Sequence, residues 1–236
     1  MHQISISPPS RKARPMFRGW LFCAAWVSRG WQALWAGCRA AAPAGSAEGK
    51  TPVAAVEAKA DVTVSGAATN VGKVTVNTGT ENGVTLTVTD AKVKNVSAKT
   101  PVTIEANEKA SKIEKVEAKA NVKVEGTNTK IDTITVPKDE SVAEAPEIIV
   151  NAGSVNTVKA EGEAKVSGDA TNAITNVEAA ASVEVNSAAV AKVTVVNVTV
   201  NVTVTVNVNG NGNGEIEVKV DTASDVEIKA TSTQNL

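Results

Sequence analysis

One short hydrophobic pattern recurs along most of the chain and limits the folds that it can adopt. Val or Ile is followed by two mostly polar residues, a second Val or Ile, any residue, and then Ala or Val. Its fourth positions lie 16 to 24 residues apart, with a mean spacing just under 20. A unit of that length cannot bury an apolar face alone, so it must stack on neighbouring units. The eight occurrences are 53–58, 71–76, 93–98, 113–118, 131–136, 155–160, 174–179 and 190–195.

The amino acids of the repeats favour strands over helices. Residues 48–236 contain 37 Val and 9 Ile but only 2 Leu. β-Branched side chains lose rotamer freedom in a helix and fit the pleated surface of a sheet. Several repeats continue into a second short alternating run, as at 62–64, 102–104 and 122–124. Each run places apolar side chains on one face and polar side chains on the other.

The sequence therefore predicts an all-β fold, a right-handed parallel β-helix (β-solenoid) of about nine coils. Successive coils would pair strands of three to five residues about 4.8 Å apart around a core of Val, Ile and Ala. Uneven repeat spacing favours this type, because left-handed solenoids need a strict six-residue period. Val56, Val116 and Val177 should share one stack and face the interior. An antiparallel β-sandwich is the alternative, because alternating strands fit it too.

The stretch 196–209 fits the repeat poorly. It alternates Val with Asn or Thr over fourteen residues without Gly or Pro. Either Asn201 or Asn207 turns a corner, since Asn tolerates the left-handed backbone conformation, or the solenoid ends here in longer strands. Residues 210–214 form a turn in both cases. High β-propensity and the absence of charge make 196–209 the segment most prone to aggregate.

The first 47 residues use a different set of amino acids. They hold all five Arg, all aromatic residues, both Cys and the only His, with no Asp or Glu. The rest of the chain carries 18 Lys and all 25 acidic residues. A stretch rich in Ala and Gly, residues 40–50, reads as a linker. We therefore divide the chain into a segment 1–47, helical or disordered, and a β-solenoid domain 48–236.

Segment 1–47 has three interpretations. Apolar residues at spacings of three and four from Phe17 to Cys38 predict an amphipathic helix, on which Cys23 and Cys38 lie too far apart for a disulfide. Basic residues precede the apolar run, which is the order of an export signal. The signal is atypical because Arg29 interrupts the apolar run. Alternatively the helix caps the open sheet edge of the first coil, or the segment is not native to the repeat protein.

The repeats hold few residues for catalysis. Residues 40–236 contain no His, Cys, Tyr or Arg, which removes the usual general bases, thiols and soft metal ligands. A pair of carboxylates alone can hydrolyse glycosides, and Asp139 and Glu140 are candidates for such a pair, but their setting near Pro137 indicates a surface turn. Residues 210–214 lack the regular Asp of calcium-binding repeats. We expect no catalytic, cofactor-binding or metal site.

Two further surface features have simple explanations. Runs of Thr-x-Thr do not recur with the coil period, whereas an ice-binding array requires that they do. The charged residues in 112–115 are typical of a solvated outer face. The near-neutral net charge of −1 and the lack of aromatic platforms argue against nucleic-acid binding. No small-molecule substrate is evident.

The Val/Thr/Asn-rich texture of residues 50–236 resembles the β-solenoid repeats of bacterial cell-surface proteins. The resemblance implies a β-helix shaped like that of pectate lyases, a secreted or cell-surface location, and no catalytic residue that maps onto this chain. The expected function is a non-enzymatic structural stalk, spacer or adhesin. Its partners would be cell-wall or surface components, or further copies of itself. The alternatives are a self-assembling fibre subunit and a polysaccharide-active β-helix that uses carboxylates alone.

Overall fold

The computed structural model is built of short β-strands wound into stacked coils. It describes residues 52–79, 83–106, 111–138, 144–186, 188–196, 198, 201–209 and 216–233. Segment 1–47 lies outside these residues. The described part of the chain contains no helix. Its strands are β1 (Pro52–Ala58), β2 (Val62–Val76), β3 (Val84–Ala98), β4 (Val102–Glu105), β5 (Ser111–Ala118), β6 (Val122–Glu125), β7 (Thr129–Val136), β8 (Glu147–Val150), β9 (Ser154–Ala160), β10 (Ala164–Ser167), β11 (Ile174–Ala179), β12 (Val183–Asn186), β13 (Lys192–Val196), β14 (Val202–Asn209), β15 (Glu217–Asp221) and β16 (Val226–Thr233).

The strands form two ladders, and each coil contributes one segment to both. Ladder A contains β1, the second halves of β2 and β3, and then β5, β7, β9, β11, β13 and β15. Ladder B contains the first halves of β2 and β3, and then β4, β6, β8, β10, β12, β14 and β16. All strand pairs in the described residues are parallel. The prediction of a parallel β-solenoid is confirmed, and the antiparallel sandwich is excluded.

The fourth positions of all eight repeats form one column in ladder A. Every residue of this column is at most 5% exposed. The prediction that Val56, Val116 and Val177 share a stack and face the interior is therefore confirmed. Val218 of β15 extends the column to a ninth rung. In order, the eight members are Val56, Val74, Val96, Val116, Ile134, Val158, Val177 and Val193.

The strands of ladder A bend, which makes them longer than predicted. β5 and β7 each have eight residues. Ile131 and Ile134 are both buried although they lie three residues apart, and on a straight strand such side chains point to opposite faces. Asp132 between them is omitted from the ladder pairing on both sides. The chain therefore turns at this position, and both isoleucines reach the core.

Buried hydroxyl groups satisfy carbonyl oxygens where the chain passes from ladder B to ladder A. Thr129 Oγ1 donates to the carbonyl oxygen of Glu125 at 2.6 Å, and Thr69 Oγ1 donates to that of Ser65 at 3.2 Å. The hydroxyl of Ser111 donates to a carbonyl oxygen of the preceding coil. Because an unpaired buried polar group is destabilising, these bonds allow the corners to lie against an aliphatic core.

The alternating stretch 196–209 is divided between the two ladders. β13 ends at Val196 and β14 begins at Val202, so the chain changes ladder around Asn201. Asn207 lies within β14 and turns no corner. β14 then pairs with β16 along its whole length. A corner at Asn207 is therefore wrong, the change of ladder falls between Val196 and Val202, and the solenoid continues for one more coil with longer strands in ladder B.

Candidate functional site

The outward face of ladder A carries charged residues that pair between neighbouring coils. Lys159 Nζ lies 3.0 Å from Glu178 Oε2, and Lys192 Nζ lies 2.8 Å from Glu217 Oε1. Each pair joins strands that are adjacent in the ladder. Exposed ion pairs of this kind contribute little to stability. Their effect is to place opposite charges along the axis of the solenoid.

Two charged groups on the outer faces have shifted pKa values. A hydrogen bond to Asp132, whose carboxylate lies 2.8 Å away, raises the pKa of Lys112, and the negative charge of that carboxylate acts in the same direction. A hydrogen bond from Lys123 lowers the pKa of Glu125, and the side chain of Asn151 adds to the effect. Both shifts favour the charged form, whereas a general acid or base needs a pKa near the working pH.

A shallow groove lies on the outer face of ladder B, with a volume of about 180 Å³. Several of its polar groups bond to neighbouring rungs: Asn207 Nδ2 donates to Glu184, and the backbone N–H of Thr203 donates to Ser182 Oγ at 3.1 Å. No aromatic ring lines it on which a sugar could stack. The groove is therefore a surface between strands on which several polar groups are already hydrogen-bonded within the protein. Its polar lining consists of Glu163, Lys165, Ser182, Glu184, Thr203 and Thr205.

The structure does not test the candidate residues that the sequence singles out. Asp139, Glu140 and residues 210–214 lie outside the described residues. In the part of the chain that the structure describes, no group of three or more His, Cys, Asp or Glu is placed to hold a metal ion. The range 112–115 lies on the outer face as predicted, apart from the buried Ile113.

The threonine pairs form only a short array on ladder B. Thr85 lies beside Thr103, and Thr63 lies beside Thr87, on adjacent rungs. The next rungs place Lys123 beside Thr103 and Glu105 beside Thr87. Charged side chains therefore interrupt both rows after two rungs, in agreement with the sequence analysis.

The last coil has an apolar surface that the sequence analysis missed. Val220 of β15 is 44% exposed and Ile228 of β16 is 52% exposed, although both occupy inward columns. Their ladder partners Val195 and Val204 are fully buried. No sequence signal distinguishes these residues, because both continue the alternating pattern of the buried columns.

Comparisons with known proteins give no family. No protein-family model matches the chain, and neither the curated proteins nor the solved structures contain a match. The described residues hold no helical segment that could span a lipid bilayer.

Proposed function

We propose that the chain is a non-enzymatic structural rod, a stalk, spacer or adhesive element of an exported bacterial surface protein. The observation that carries the proposal is the unbroken buried column from Val56 to Val193, which joins successive coils into one core. At about 4.8 Å per rung, nine rungs span on the order of 40 Å. Such a rod holds whatever is attached to its two ends at a fixed separation.

The distribution of variable segments supports a structural role. The segments between β2 and β3 and between β7 and β8 are long, and the ladder columns of the flanking strands continue in register. Loop variation at the corners changes the surface without disturbing the core. A rod of this kind can present different side contacts to cell-wall or surface components along one rigid axis.

Export and surface location rest on two features of the sequence. The repeats resemble those of bacterial cell-surface proteins, and the basic, acid-free segment 1–47 has the order of an export signal. The mass of the natively produced protein tests the signal, since cleavage near residue 47 removes the basic segment. Protease treatment of intact cells tests the location, and a chain degraded only after lysis would contradict it.

Rigidity is tested by the distance between dyes at the two ends of the rod. Glu57→Cys and Lys219→Cys place labels in the same ladder column, eight rungs apart, once Cys23 and Cys38 are replaced by Ser. We expect a narrow distance distribution near roughly 40 Å in single-molecule energy transfer. The same labels in urea provide the flexible control. A broad distribution in native buffer would contradict the rod.

The absence of enzymatic activity is tested on a panel of polysaccharides. We expect no turnover by the full chain. Robust turnover that an Asp139→Asn, Glu140→Gln double variant abolishes would replace the structural role by the carboxylate-dependent hydrolase. Turnover that this variant retains would indicate an enzyme that uses other residues and would equally contradict the proposal.

A further inference from the structure

The C-terminal end of the solenoid leaves two strand edges and an apolar surface uncovered. Among the described residues, β15 pairs with β13 alone and β16 pairs with β14 alone. Val220, Ile228 and Ala230 continue inward columns but are exposed. An unpaired edge offers a row of N–H and C=O groups to another strand. This end therefore combines free backbone groups with apolar side chains.

The first coil presents no comparable surface. Its inward side chains are at most 7% exposed, and they are Val53, Val56, Ala58, Val62 and Val64. A second copy therefore has no free apolar face at the β1 end on which to bury its own exposed end. Within the described residues, the large hydrophobic side chains that are exposed both belong to the last coil. The surface that matches this end in character is the same end of a second copy.

Strand β16 is complementary to itself about Ile228. The exposed Glu227 precedes Ile228 and the exposed Lys229 follows it. If two β16 strands pair antiparallel with Ile228 at the centre, each Glu227 lies directly opposite Lys229 of the second copy. Opposite charges in such cross-strand positions are favourable, and like charges are unfavourable. The inward row matches in the same register, because Ile228 meets Ile228 and Val226 meets Ala230.

We propose that two copies of the chain bind through their C-terminal ends, with their β16 strands antiparallel about a two-fold axis at Ile228. The contact is isologous, because both copies use the same surface, and it closes after one pairing. It covers the exposed apolar side chains of both last coils. The product is a dimeric rod of about twice the length, with a β1 strand at each end. The inference goes beyond the proposed stalk and rests on the fold rather than on cell-surface location.

Charge reversal on β16 tests the contact. In sedimentation velocity of the full chain, we expect an equilibrium between monomer and dimer. Glu227→Lys alone and Lys229→Glu alone should each weaken dimerisation by roughly tenfold or more, because each places two pairs of like charges across the axis. The double variant, which exchanges the two charges, should restore dimerisation.

A mixture of the two single variants is the sharper test. One variant then carries two lysines on β16 and the other carries two glutamates, so opposite charges face each other only in the mixed dimer. We expect the mixture to dimerise roughly tenfold more tightly, or better, than either variant alone. Lys115→Glu, an exposed change in the middle of the rod, is the matched control. Its ladder neighbours Asn95 and Thr133 are uncharged, and it should leave dimerisation unchanged.

Three results would overturn the proposal. The first is a chain that stays monomeric at all concentrations. The second is a series of oligomers that keeps lengthening with concentration, because a closed two-fold contact stops at the dimer. The third is a mixture of the single variants that associates no better than either variant alone. Circular dichroism of every variant checks that the fold is intact. The end-to-end dye distance within one chain is independent of these outcomes, so failure of dimerisation leaves the rigid-rod proposal standing.

Discussion

Each core residue of this solenoid is in contact with the equivalent residue one coil before and one coil after it. Ile134 lies between Val116 and Val158 in its column, and all three are fully buried. Because protein interiors are close-packed, a change of volume at one rung is felt at two neighbours. This geometry explains why nearly all members of the columns are Val, Ile or Ala.

Truncation of Ile134 should destabilise the protein in proportion to the volume removed. Ile134→Ala should lower the free energy of unfolding by about 2–5 kcal/mol, whereas Ile134→Val should lower it by about 0.5–1.5 kcal/mol. The adjacent half-exposed Thr133 provides the control, and Thr133→Ala should change stability by less than about 0.5 kcal/mol. Urea denaturation measures all three, and equal effects at 133 and 134 would contradict the inward column.

The lowered pKa of Glu125 predicts how its charge contributes to stability with pH. Since the folded-state pKa lies below the usual value, the contribution is complete above that usual value and is lost as the pH falls through the lowered one. Lys123→Gln removes the largest cause and should move the pKa back up. Carboxyl NMR titration measures the shift, and Lys130→Gln is the control. An unchanged pKa in Lys123→Gln would contradict the assignment, and the energy is small, below about 1 kcal/mol.

At the scale of the strands, the sequence predicts ladder A better than ladder B. In ladder A the spacing of three between inward residues recurs eight times and defines a unique register. In ladder B, the first residue of β2, Val62, pairs with the third residue of β3, Leu86, whereas the first residues of β3 and β4, Val84 and Val102, pair with each other, so the starts of the strands are offset by two residues between the first two coils. An offset of two keeps apolar residues inward and is invisible to an alternating pattern. The outer groove was unpredictable because outward residues obey no burial constraint, and the exposed end was unpredictable because Val220 and Ile228 continue the pattern of the buried inward residues.

The corners between strands require close contact of backbone between coils. Gly153 has a φ of 80°, and a Cβ there would lie 2.5 Å from the carbonyl oxygen of Thr129 in the preceding coil. Gly79 has a similar φ of 70°, but a Cβ there would meet nothing within 4 Å. The two glycines therefore share the backbone conformation and differ in the space around it.

Alanine substitutions at these glycines should separate the two effects. Gly79→Ala should destabilise by about 1–2 kcal/mol, the energy of a left-handed conformation for a residue with Cβ. Gly153→Ala should destabilise by roughly 1–3 kcal/mol more, because the backbone of two coils must move apart. Thermal or urea unfolding of both variants measures the difference. Equal losses would show that the coils do not approach each other at this corner.

For the whole molecule, the ladders make stability a sum over neighbouring coils. Each coil pairs with the one before and the one after, and the column from Val56 to Val218 links them in order. In such quasi-one-dimensional proteins a unit can be removed if the units on either side still match. Whether a shortened chain folds depends on whether the new junction keeps the following residues in their columns, rather than on how many residues are removed.

Removal of one whole coil should therefore leave a shorter solenoid. Deletion of residues 117–134 joins Val116 to Thr135. Because Thr135 pairs with Glu117 in the ladder, Thr135 and the residues after it take the column positions of the deleted residues. We expect this chain to keep its β-sheet circular dichroism and to be shorter by about 4.8 Å between the end labels. Deletion of residues 117–126 removes fewer residues but joins Val116 to polar positions of another phase, and it should abolish cooperative unfolding. If the two deletions were equally disruptive, contacts beyond adjacent coils would have to hold the fold together, because only such contacts are insensitive to the register of the junction.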